Sequence, residues 1–145
     1  MTEPMRRTIG TLNHLPMMCL LLLACGDKYD TATDSGAAVD ATFTQVYDDI
    51  LLLSCAYSTC HLGEGSAQLG WDDAPSAYAS LVGVASTQIE SMDLVEPGAP
   101  DSSYLVWKLE ENSGISGGMM PPSVPISSDQ IAMVRAWIAA GAPND

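Results

Sequence analysis

The sequence predicts an all-α domain of about four helices with long loops, and three observations carry that expectation. Apolar residues recur at helical spacing at Phe43, Val46, Tyr47, Ile50 and Leu51, and again at Ile131, Val134, Trp137 and Ile138. Capping signals stand ahead of both runs and ahead of a third, at Asp73-Ala74-Pro75. Nowhere do two alternating segments flank a tight turn, as a hairpin requires.

The first expected helix has Thr42 or Thr44 as its N-cap and Asp48 and Asp49 on its wet face, and it runs into Cys55 to His61. The segment Leu62 to Gly70 holds three glycines and reads as loop. A second helix opens at Asp73-Ala74-Pro75, carries Tyr78, Leu81 and Val82, and stops at Gly83. Residues 84 to 100 read as extended chain or loop. A third helix is expected from Asp101 or Ser102, with Tyr104, Leu105, Trp107 and Leu109, until Asn112-Ser113-Gly114 ends it. The Gly- and Pro-rich run from Ile115 to Ile126 contains Met119-Met120-Pro121-Pro122. Ser127-Ser128-Asp129-Gln130 is a capping box for the last helix, which Gly141 and Pro143 terminate.

Ahead of this domain the chain reads as an address. Arg6 and Arg7 precede an apolar stretch from Leu15 to Ala24 that is too short to span a bilayer, the pattern of a secretory signal. Leu22-Leu23-Ala24-Cys25 resembles the bacterial lipobox, which implies cleavage after residue 24 and lipidation of Cys25. Ordinary signal cleavage would instead leave Cys25 as an unpaired thiol. Gly26 after the cysteine implies, by resemblance to bacterial lipoprotein sorting, an outer-membrane anchor with the domain on the periplasmic or surface face. Residues 25 to 41 are small and polar, a flexible tether, so the folded domain is expected over 42–145.

Cleavage leaves 121 of the 145 residues, enough for one modest core. The full chain has 18 acidic and 5 basic side chains; losing Glu3, Arg6 and Arg7 leaves 17 and 3, a net charge of −14. That surface argues against nucleic acid; it serves solubility alone, or makes any protein partner met by electrostatic steering a basic one. Only Cys55, Cys60 and His61 then remain in the domain as thiol or imidazole groups.

The sequence Cys55-Ala56-Tyr57-Ser58-Thr59-Cys60-His61 puts two thiols directly before an imidazole, the arrangement by which haem is attached covalently. The thiols add to the vinyl groups and the imidazole coordinates iron. The usual spacing has two residues between the cysteines; four stand here, so either the extra pair bulges out of the helix or the segment is irregular. Met120, which precedes a proline on a loop, is the candidate for the second axial ligand ahead of Met119, since a Met-His pair is common in monohaem proteins. Zinc is a further use of two thiols, an imidazole and a carboxylate, although adjacent Cys60 and His61 make that geometry awkward.

These pieces, in order, resemble class I c-type cytochromes, and more closely the haem-motif lipoproteins of environmental bacteria. The shared features are a helix into Cys…Cys-His, Pro97-Gly98-Ala99-Pro100-Asp101-Ser102-Ser103-Tyr104-Leu105-Val106-Trp107-Lys108-Leu109, Met120-Pro121-Pro122, and Trp137-Ile138-Ala139-Ala140-Gly141-Ala142. The Cys-x4-Cys-His spacing is shared with some sites of multihaem cytochromes, and no proline follows His61 closely, where monohaem members often place one. The resemblance implies a cytochrome c-like fold in which the first and last helices cross, with Phe43 or Tyr47 near Trp137. It also implies that Tyr104 and Trp107 wall the haem or reach a propionate.

Three functions follow as expectations. The first is a membrane-anchored monohaem electron carrier, not a catalyst, with Cys55 and Cys60 holding one haem c and His61 and Met120 ligating its iron. The alternative is a haem-free binding or structural lipoprotein in which Cys55 and Cys60 form a disulfide. The third is a dithiol redox enzyme, which normally spaces its thiols by two in a βαβ setting.

Overall fold

In the computed structural model the described residues are 40–63 and 69–145. The expected signal, Cys25, most of the tether and the centre of the glycine-rich loop lie outside them.

The first helix is built from three pieces: α1 (Phe43–Val46), a π-helical turn (Tyr47–Leu51) and α2 (Leu52–Ser54). Thr42 caps it in a reciprocal box, its hydroxyl accepting from the Gln45 N–H while Gln45 Oε1 accepts from the Thr42 N–H. Asp145 also reaches this end, its side chain accepting from the Phe43 N–H at 2.8 Å. Phe43, Val46, Tyr47, Ile50 and Leu51 are all buried, as their spacing predicts. Ala41, the last residue of the expected tether, is buried with them.

Helix α3 (Ala74–Leu81) starts at Asp73, whose carboxylate accepts from the Ser76 N–H; the Ser76 hydroxyl and amide hold that carboxyl below its usual range. The chain then folds back through two isolated bridges, Val82 with Val95 and Ala85 with Asp93; no strand forms among the described residues.

The third expected helix begins later than the sequence suggests. Pro100–Ser102 form a 3-10 turn, and α4 spans Tyr104–Leu109. Its first two N–H groups, of Tyr104 and Leu105, donate to the carbonyls of Asp93 and Leu94, so backbone does the work of a side-chain cap. Ser103 instead turns its buried hydroxyl onto the Glu96 N–H and the Ala99 carbonyl. The last helix, α5 (Ser128–Ala139), has the Ser127/Gln130 capping box the sequence predicts.

α1 packs against α3 and α5, and α5 also packs against α4 and the 3-10 turn. At the centre the Phe43 and Trp137 rings lie 5.2 Å apart and Tyr78 meets Phe43 edge-on at 5.1 Å. Trp137, Ile138 and Val134 are fully buried, and the Trp137 indole N–H donates to the Pro143 carbonyl. The domain is all-α, and its first and last helices are joined at this aromatic cluster.

Candidate functional site

The cysteine segment begins where the helix ends. Cys55 leaves helical geometry at φ −127°, and its carbonyl accepts from both the Tyr57 N–H at 2.9 Å and the His61 N–H at 3.3 Å. The Cys60 N–H returns to the Tyr57 carbonyl at 2.8 Å. Residues 57 to 59 therefore loop outward and are exposed, while Cys55 is buried and Cys60 and His61 are half-buried. This is how the chain absorbs the long spacing: the surplus residues bulge away, and His61 is brought back over the end of the helix.

His61 is set by Trp71. Their rings meet tilted by 33° with centroids 4.5 Å apart, and the Trp71 N–H donates to the His61 carbonyl at 2.8 Å. Trp71 is itself anchored, its indole N–H donating to Ser80 Oγ and its carbonyl accepting from the Tyr47 hydroxyl. The buried Trp71 thus links the imidazole to the first helix and to α3.

On the other side stands the methionine loop. The Met120 N–H donates to the Lys108 carbonyl at 2.9 Å, and the Met120-Pro121 bond is cis. The Lys108 ammonium donates to the carbonyls of Ser116 and Gly118, and the Tyr104 hydroxyl accepts from the Ser116 N–H. Tyr104 also donates to Gln88 at 2.8 Å.

Between these parts lies a cavity of about 550 Å³, within the roughly 300–1,000 Å³ of small-molecule and cofactor sites. Cys55, Cys60, His61, Trp71 and Met120 all line it; Met119 does not. The rest of the wall is mostly aliphatic, including Leu81, Leu94, Leu105 and Leu109, with a polar end at Ser86, Gln88, Tyr104 and Lys108. Among the described residues no Asp or Glu lines it.

Both cysteines are free thiols. Burial, followed by the neighbouring Cys60, pushes the Cys55 thiol up to about 11. It is therefore protonated at neutral pH, which suits a dithiol exchange enzyme poorly. Among the described residues no three His, Cys, Asp or Glu side chains converge closely enough to hold one metal ion. The sulfur and nitrogen donors are instead spread around the cavity wall, soft donors of the kind that suit iron or copper over magnesium or calcium.

One expectation needs correcting. Trp107 does not line the cavity: its indole N–H donates to the Asp101 carbonyl, and its ring lies against Gly114, where a Cβ would come within 2.7 Å. Tyr104, three residues earlier on a short helix, does line it. Sequence reasoning passed over Trp71 and Lys108. Trp71 sits in no periodic run, and Lys108 stands in the Pro97–Leu109 motif with no role attached to it. Compared with known proteins, the chain matches no family model, no curated protein and no solved structure.

Proposed function

We propose that this chain is a lipid-anchored monohaem c-type cytochrome of the bacterial cell envelope, a one-electron carrier. The observation that carries the reading is an apolar cavity whose wall includes all of Cys55, Cys60, His61 and Met120, although Met120 is remote from the motif in sequence. A cytochrome c-like arrangement of the helices is supported by the Phe43–Trp137 contact between first and last helices, and by a methionine loop lying just before α5.

The donor set fits a covalently held haem. Cys55 and Cys60 would each add across a vinyl group, sulfur bonding one carbon and the thiol hydrogen going to the other, with no net oxidation. His61, set against Trp71, would supply the imidazole ligand, and Met120 the thioether. Haem so bound supplies a one-electron iron couple, whose potential a Met-His ligand pair raises. The chain's own part is to fix the donors and keep the pocket dry. Leu81, Leu94, Leu105 and Leu109 exclude water from the wall, and a low-dielectric surround is one of the protein's levers on potential. The acidic surface favours basic redox partners at the encounter stage.

The test is the visible spectrum of the full chain co-expressed with haem-attachment machinery. An intense Soret band and a c-type pyridine haemochrome support the carrier. A colourless protein with Cys55 and Cys60 oxidised to each other makes it the haem-free module instead.

A further inference from the structure

Lys108 is a charged residue in an unusual place. It sits on α4, only 8 % exposed, on the wall of the cavity. Among the described residues the ion pairs belong to Arg135, which meets Asp101 and Glu110. The Lys108 ammonium is satisfied differently, by the Ser116 carbonyl at 2.5 Å, the Gly118 carbonyl at 3.1 Å and the face of the Tyr104 ring, 5.4 Å from its centroid. Burying a charge is costly unless such partners are held in place, and hydrogen bonds to charged groups are the stronger kind. Gly117 between the two carbonyls adopts φ +74°, a left-handed geometry that turns both toward one point, as glycine permits. Lys108 grips the loop at its other end as well, because its own carbonyl accepts the Met120 N–H at 2.9 Å.

We propose that Lys108 is the positioning residue for Met120. Its ammonium gathers the turn at Ser116–Gly118 and its backbone takes the methionine N–H, so one residue fixes both ends of the segment that presents the thioether. The charge matters because a neutral side chain of equal length fills the same space without drawing the two carbonyls together. The consequence for iron ligation rests on the carrier reading above; the clamp on the loop does not.

The experiment compares wild type, Lys108→Met and Lys108→Arg in the full chain. In haem-loaded protein, added imidazole competes with Met120 on oxidised iron and abolishes the weak methionine–iron charge-transfer band. Lys108→Met should bind imidazole at least tenfold more tightly, with Lys108→Arg closer to wild type; equal affinities for wild type and Lys108→Met overturn the proposal. Hydrogen exchange provides the second readout, with or without haem. The Met120 amide should exchange at least tenfold faster in Lys108→Met while the Trp137 amide is unchanged; an unchanged Met120 rate overturns the clamp. If wild type carries no haem, the carrier reading falls while this exchange comparison still decides the clamp. Should Lys108→Met fail to fold, nitrogen NMR of wild type serves: a buried, bonded ammonium gives a slowly exchanging signal, and a freely exchanging one overturns the proposal.

Discussion

Burial of Cys55 in the cavity wall changes its chemistry by an amount that can be measured. Moving its thiol from an ordinary 9.0 to about 11 leaves ~100-fold less thiolate at about pH 8 and below. The more basic thiolate is also the better nucleophile, which with a Brønsted slope of about 0.4–0.5 recovers roughly tenfold. The net expectation is alkylation of Cys55 about tenfold slower in the folded, reduced chain than in urea. Steric shielding slows it further. The assay is iodoacetamide labelling followed by mass spectrometry at peptide level, with tryptophan fluorescence reporting that the haem-free chain is folded. The pH profile is the sharper signature. In urea the rate levels off near pH 9, whereas in the folded chain it keeps rising to pH 10 and beyond. Half-buried Cys60 should react faster than Cys55 throughout. If the chain is folded and Cys55 reacts within twofold of its rate in urea, levelling near pH 9, the geometry of the site is wrong.

The same shift has a consequence for stability, in a definite direction. Below pH 9 Cys55 is protonated folded or unfolded and contributes no pH dependence. Above it the unfolded chain loses its proton first, so the reduced, haem-free domain should weaken between pH 9 and 11 by about 2–3 kcal/mol, read by urea unfolding at each pH; an equal loss in Cys55→Ala would assign the effect elsewhere. Trp137→Ala removes a fully buried ring and should cost about 3–5 kcal/mol, against about 1 kcal/mol for half-buried Trp107→Ala, both from urea midpoints. Equal costs would contradict the packing described for the first and last helices. Ser127→Ala opens the capping box of α5 and should cost about 1 kcal/mol.

How far the sequence could be read depended on whether each residue's role was local. The first helix, the Asp73 cap and the Ser127/Gln130 box are set by neighbours within a turn, and their positions matched. The π turn was not legible, because Phe43 to Leu51 keep an ordinary helical pattern through it. The late start of α4 was missed because its N–H groups are satisfied by Asp93 and Leu94 and not by a side chain at its own end. The motif around Trp107 implies a place beside the haem, yet Gly114 and Asp101 hold it on a different face. At the site, the spacing of the thiols demands a bulge or an irregular segment, and the choice of residues 57 to 59 as the exposed turn comes from the hydrogen bonds to the Cys55 and Tyr57 carbonyls. Trp71 behind the imidazole and Lys108 behind the methionine act through contacts that only the fold brings about.

What Cys55 and Cys60 carry in the full chain decides between the carrier and the haem-free module. The most direct measurement is the intact mass of the denatured chain, made with haem-attachment machinery, beside Cys55→Ala and Cys60→Ala. In a c-type carrier, wild type holds one haem that denaturation cannot strip, and each variant loses one thioether. Haem that washes out on denaturation, or a mass two hydrogens light with Cys55 and Cys60 linked to each other, would contradict the carrier reading.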